Sequence, residues 1–254
     1  MRAGIAVVVG GALVACNESR PPIVADRPAP RPSASRVIPA PSASARLVVH
    51  ERLGKPLRVE GCLPGAPCSE WVRFAVKPPR TMVEATVSPS GRYFFLWSRA
   101  DGHARELDVY ETPSTGAARR VGHMVPGAGG HLGWVAGDRL FHWWGCGTGC
   151  AVVQLRDVLG RVLVSTGGAW VEEDAAHTRA AVADHGGNVV WIDFALGAGY
   201  AAGPTAGLLW PVAVAWEKHA LKVTYSQTSG TDRVLLCRPS PVPTKSALGL
   251  LSCT

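Results

Sequence analysis

The chain has 254 residues, 47% of them hydrophobic and 18% charged, with a formal net charge of +7. That length suffices for a sizeable core in one or two domains, while 29 glycines, 20 prolines and no sustained 3.6-residue apolar period exclude a helical bundle. Arg20, Arg27, Arg31 and Arg36 gather part of the positive charge before residue 46, and no basic stretch interleaved with aromatics points to nucleic acid.

In chain order, Arg2 precedes the apolar run Ile5 to Ala15 (IAVVVGGALVA), which is too short to span a bilayer and ends in small residues before Cys16. This is the pattern of a secretion signal over residues 1–15. Leu13-Val14-Ala15-Cys16 resembles the lipobox of bacterial lipoproteins at all four of its positions. The resemblance implies cleavage before Cys16, a diacylglycerol on its sulfur and acylation of the new amino terminus. It places the protein on a membrane of the bacterial cell envelope, the outer membrane or the periplasmic face, through lipid. An ordinary cleaved signal with an incidental cysteine, or an uncleaved anchor, is the alternative. Residues 16–45 then read as a disordered tether, because NESRPPIVADRPAPRPSASRVIPAPSASA is proline, alanine, serine and arginine with almost no apolar periodicity.

From Arg46 to Thr254 the chain reads as short strands separated by turns. Leu47 to His50, Leu57 to Glu60 and Trp71 to Val76 form an irregular first unit. Met82 to Val87 leads into the turn Ser88-Pro89-Ser90-Gly91, then the strand Arg92 to Ser98 (RYFFLWS), the half-buried alternation of Glu106 to Glu111 and a strand at Ala118 to Val121. The same turn and strand recur at Gly137-Asp138-Arg139 before LFHWW, at His177-Thr178-Arg179 before Ala180 to Asp184, and at Lys218-His219 before ALKVTY. From Arg92 to Arg139, Arg179 and Ala220 the steps are 47, 40 and 41 residues. Four strands per unit at this period is the signature of β-propeller blades. SPSGRYFFLWS, ELDVYE and STGAARRV together resemble a WD40-like repeat of the TolB type, with Ser90 where that family carries Asp. The fold expected is all-β, a propeller-like array of about five antiparallel four-stranded blades over residues 46–254; a β-sandwich or irregular β-barrel is the alternative.

The six cysteines after Cys16 fall in sequence-local pairs, Cys62 with Cys68, Cys146 with Cys150 and Cys237 with Cys253, and local disulfides are the simplest arrangement in an oxidising compartment. The sharper alternative is a soft-metal site from His142, Cys146 and Cys150 with His123 and His131 nearby. The Trp-Trp-Gly sequence between them argues for a strand and turn, so disulfide is preferred and no metal or cofactor is expected. No nucleophile elbow, zinc-protease motif or phosphate loop occurs. Glu172-Glu173-Asp174 and Asp184-His185-Gly186-Gly187 are the acidic and histidine clusters open to an acid–base or cation role, although polar turns contain such residues routinely. The tryptophans, Trp134, Trp143, Trp144, Trp170, Trp191, Trp210 and Trp216 among them, recur at strand positions suited to packing between blades. The function these features support is a lipid-anchored envelope module that binds a protein or glycan without catalysis. The rival is an exported enzyme with a carboxylate and histidine site at a central opening.

Overall fold

The computed structural model describes residues 34–38, 45–52, 55–75, 80–100, 105–127, 130–147, 150–203, 208–227, 229–240 and 248–254. The signal segment and the lipobox with Cys16 lie outside them. Twenty strands and no helix are found among the described residues.

Each run of four consecutive strands pairs as an antiparallel meander. The first sheet holds β1 (Ala34–Ile38), β2 (Arg46–Glu51), β3 (Arg58–Cys62) and β4 (Ser69–Arg73). The second holds β5 (Arg80–Val87), β6 (Tyr93–Ala100), β7 (Arg105–Glu111) and β8 (Arg119–Met124). In the third are β9 (His131–Val135), β10 (Arg139–Gly147), β11 (Cys150–Arg156) and β12 (Val162–Gly168). The fourth comprises β13 (Trp170–Glu173), β14 (Arg179–Ala183), β15 (Val189–Asp193) and β16 (Ala198–Ala202). The fifth is β17 (Leu208–Glu217), β18 (Ala220–Gln227), β19 (Asp232–Pro239) and β20 (Gly249–Cys253). This is the expected propeller-like array of five four-stranded units. One join was not foreseen: β20 also runs parallel to β16, at Tyr200↔Gly249 and Ala201↔Leu250, so the last two sheets are continuous.

Side-chain alternation explains how the sheets stack. Successive strand residues point to opposite faces. In β6, Phe94 and Leu96 enter a core shared with the first sheet, whereas Phe95 and Trp97 enter one shared with the third. Leu140 and Phe141 of β10 divide in the same way between the second and fourth sheets. In β15, Val190 and Ile192 face the third sheet, and Val189 and Trp191 face the fifth. Strands buried on both faces therefore carry continuous apolar runs. In the end sheets the pattern alternates: Leu221, Val223 and Tyr225 are buried between half-buried Lys222, Thr224 and Ser226. Four buried clusters thus join five sheets in a row, and among the described residues none joins the fifth to the first.

The recurring turn between the first two strands of a sheet holds positive φ in every copy from the second sheet on, at two successive residues in the third sheet, where Gly137 at 74° precedes Asp138. Gly91 takes it at 75°, but Asp138, His177 and Lys218 take it at 52°, 50° and 46°. The last three accept a conformation that costs an L-residue about 1–2 kcal/mol. Ties between successive sheets cluster at the same level. Trp134 donates its indole N–H to the Thr86 carbonyl at 3.1 Å, and Trp216 donates to that of Glu172 at 3.3 Å. Asp138 accepts from the Ser90 backbone N–H at 3.1 Å, and the Arg139 and Arg179 guanidinium groups donate to carbonyls of the next sheet.

One boundary differs from expectation. The strand β1 lies inside the segment read as a tether and pairs with β2 from Ala34↔Glu51 to Ile38↔Leu47, so the β domain begins by residue 34 and not at 46. The ladder needs only backbone N–H and C=O groups, which carry no periodic signature, and Ala34–Ile38 contains no proline to interrupt it.

Candidate functional site

The three cysteine pairs are disulfides, Cys62–Cys68, Cys146–Cys150 and Cys237–Cys253. Cys146–Cys150 clamps the tip of the β10–β11 hairpin, where the register shifts between Gly145 and Gly147. Cys237 faces Cys253 across β19 and β20 and fastens the last strand to its own sheet.

Beside the hairpin clamp, a groove of about 810 Å³ opens between the third and fourth sheets. One wall is Cys150 with Thr166, Gly167 and Gly168 at the end of β12; the other is the β14–β15 turn and the end of β16 at Ala201, Ala202 and Gly203, with Leu248 closing one side. The groove exists because small residues line it. A Cβ on Gly168 would lie 2.4 Å from the Val182 side chain and 2.8 Å from the Ala183 carbonyl, so only glycine lets these strands meet. At the mouth His185 packs edge-on against Trp170, ring centroids 4.8 Å apart, and Trp170 is 40% exposed.

Asp184 lines this groove, but its carboxylate is committed to the fold. It accepts from the Asn188 backbone N–H at 2.9 Å and from the Asn188 side-chain amide at 2.7 Å, closing the turn. Asp174 does the same one turn earlier, accepting from the Thr178 N–H and hydroxyl, each at 2.7 Å, and from Arg179 Nε at 3.1 Å. Burial raises its pKa, and the Thr178 and Arg179 hydrogen bonds outweigh that and leave it below its ordinary value. Both are turn-closing groups, which is the bland reading given to these clusters from sequence.

The acidic run is therefore divided. Glu173 pairs with His177 at 3.0 Å and approaches His131 of β9 at 3.9 Å, and burial raises the pKa of Glu84 on β5 while the His131 charge opposes it. Carboxylates and imidazoles from the second, third and fourth sheets thus share the edge formed by their first strands. The imidazoles are open to water, with His131 51% and His177 72% exposed.

The proposed soft-metal set does not assemble. Cys146 and Cys150 are spent in their disulfide, and His142 is 3% exposed, stacked on Trp144 with centroids 4.5 Å apart. Burial, then the Arg156 and His131 charges, lower the His142 pKa to about 4, so it is neutral near pH 7. His123 instead joins Glu106 and Asp108 in a compact trio that sequence reasoning missed. Arg80 at 2.6 Å from Glu106 and Arg120 at 3.1 Å from Asp108 already supply the positive charge there.

Most tryptophans pack between sheets as expected. Trp191 meets Trp216 edge-on at 4.8 Å, and the Arg179 guanidinium lies 5.1 Å and 4.4 Å from the two rings. Trp170 is the exception, at the groove. The Trp210 side chain lies outside the description.

No protein-family model matches the chain, and no curated protein matches it in sequence. Solved structures do match over most of it. One, from a structural and mechanistic study of two prolyl endopeptidases, is 12% identical with a TM-score of 0.40, over 81% of this chain and 31% of that one. BamB from Moraxella catarrhalis is 11% identical with a TM-score of 0.37, over 81% of this chain and 66% of its own. The dihydro-heme d1 dehydrogenase NirN in complex with DHE is 19% identical with a TM-score of 0.37, over 80% of this chain and 44% of its own. The chain thus spans 31 to 66% of the length of these proteins. Likeness at this level carries no argument about activity or partners.

Proposed function

We propose that this chain is an exported envelope lipoprotein, anchored through Cys16, whose sheet array is a non-catalytic binding module with the groove between the third and fourth sheets as its ligand site. The observation that carries this reading is the groove itself. Glycine and alanine walls leave room for an extended segment, the neighbouring turn is locked by Asp184 and Asn188, and the Cys146–Cys150 clamp holds the rim. An exposed Trp170 beside His185 adds an aromatic contact of the kind that anchors protein and glycan partners. Disulfide pairing of all six cysteines after Cys16 supports an oxidising address.

A photo-reactive residue placed at Thr166 in the acylated chain in its native envelope should capture one discrete partner, and the same residue at Val234 on the fifth sheet should not. Equal capture at both positions, or none at Thr166, rejects the groove as the site. Anchoring is tested separately by Cys16→Ser, which should abolish lipid labelling and release the protein in soluble form. The rival reading, acid–base chemistry along the Glu84, His131 and Glu173 edge, requires Glu173→Gln to abolish a hydrolytic activity of the purified chain.

A further inference from the structure

The solvent face of the first sheet carries an arrangement that a sheet ordinarily avoids. His50, Arg58 and Arg73 stand directly opposite one another on β2, β3 and β4. Arg58 and Arg73 are like charges in that relation, which is destabilising. The adjacent row places Glu60 opposite Glu70. These two carboxylates compensate one side of the cationic row: Glu60 lies 3.1 Å from His50, and Glu70 lies 3.7 Å from Arg58 and takes a two-pronged contact from Arg73 at 2.8 and 2.6 Å.

On the other side of the row, Arg58 and Arg73 meet further positive charge. There the β2–β3 connection brings up Arg52 and Lys55, neither with a carboxylate partner among the described residues, in a turn closed by the Lys55 N–H on the Arg52 carbonyl at 3.1 Å. The Phe74 N–H ties the far end of β4 to the Leu57 carbonyl at 3.0 Å, holding the connection against the sheet. Between them is a cavity of about 190 Å³ lined by His50, Arg52, Lys55, Pro56, Arg58 and Arg73. Four permanent cations line it, and the two nearby carboxylates lie outside its walls.

We infer that this cavity is a binding site for a single phosphoryl group. The Arg52 guanidinium fork matches the tetrahedral oxyanion geometry and the Lys55 ammonium supplies a mobile point charge beside it, while Arg58 and Arg73, both held on Glu70, add positive charge to the wall. The volume is below the roughly 300 Å³ at which drug-sized ligand sites begin, so one anionic group fits and a whole nucleotide does not. The lining has no aromatic ring on which a base could stack. Two sources offer this chemistry, a phospholipid headgroup and a free phosphate or phosphorylated solute. The site does not depend on the groove reading, and only the membrane source depends on the lipid anchor.

The test uses full-length Cys16→Ser protein, so that no acyl chain contributes, titrated with inorganic phosphate by calorimetry at low salt. The double variant Arg52→Ala/Lys55→Ala should weaken phosphate binding by about tenfold or more, the loss of two charge-assisted contacts. The charge-matched control Arg233→Ala/Arg238→Ala, on the exposed fifth sheet, should leave it within about twofold. Unchanged thermal unfolding of both double variants keeps folding out of the comparison. Flotation with phosphatidylglycerol vesicles, against phosphatidylcholine, then identifies the source: binding that phosphate displaces and the double variant loses indicates a headgroup, and phosphate binding without flotation indicates a soluble phosphoryl ligand. No phosphate binding by the parent protein, or equal losses in the two double variants, overturns the site.

Discussion

Replacing Asp174 by alanine tests whether a turn-closing carboxylate holds the last two sheets together. Its side chain is buried, and its loss would leave the Thr178 and Arg179 N–H groups without their acceptor. It would also strip Arg179 of its only anion among the described residues, while that guanidinium remains between Trp191 and Trp216 and on the Lys218 carbonyl. Breaking a buried pair by removing one partner costs about 3–5 kcal/mol. The retained aromatic and carbonyl contacts place the expected value at the lower end, about 3 kcal/mol. In a domain of this size that lowers the unfolding temperature by about 6–12 °C. Asp174→Asn keeps one acceptor oxygen and should lose about half as much. The measurement is urea unfolding with the disulfides intact, repeated as pH falls. Because the folded carboxyl lies below its ordinary 3.8, its stabilisation is present above that value and disappears as pH falls through the lower, folded value. The deficit of Asp174→Asn relative to the parent should therefore shrink as pH falls below 3.8. An unfolding free energy for Asp174→Ala within about 0.5 kcal/mol of the parent, or a deficit that does not change with pH, would refute the reasoning. A cycle with Arg179→Met isolates the pair itself.

Other substitutions probe other levels. Neutral, buried His142 disfavours its proton in the folded state, so stability should fall by about 3 kcal/mol as pH drops from its ordinary 6.5 to about 4, and His142→Leu should flatten that part of the profile. Lys218→Gly relieves a positive φ worth about 1–2 kcal/mol and gives back about 0.5–1 in chain entropy, so a net gain of about 0.5–1 kcal/mol is expected by thermal unfolding, and a loss contradicts it. Removing Cys237–Cys253, a 16-residue span with Cys237 fully buried, should cost about 3 kcal/mol by urea unfolding; removing Cys146–Cys150, a span of 4 between exposed residues, should cost about 2 or less.

Periodicity made the array legible because each sheet is local in sequence. The apolar runs of YFFLW and VVWI are strands buried on both faces, and the alternation in ALKVTY marks an end sheet. The drifted turns were harder, since Asp138, His177 and Lys218 hold by context a backbone state that glycine holds by nature. Local cysteine pairs were readable for the same reason as the strands. The groove was not, because its walls come from Cys150 to Leu248 and consist of small residues with no motif. Nor was the cationic cavity: Arg58 and Arg73 become neighbours only once the β3–β4 register is known, and a bulge between Val59 and Glu60 sets that register. Exposed charges without a register look like an ordinary solvated surface.

The parallel contact of β20 with β16 also bears on the order in which the chain can assemble. The first three sheets each close within one stretch of sequence, so each can form as soon as its own strands have emerged during synthesis. The last two cannot, because Gly249–Cys253 must arrive to pair with both Ala198–Ala202 and Asp232–Pro239. Until then the outer edge of β16 and the thiol of Cys237 wait unpaired. The final five-residue strand is thus the step on which completion of the fourth and fifth sheets depends, and pairing of Cys237 with Cys253 should be the last oxidation to finish during maturation.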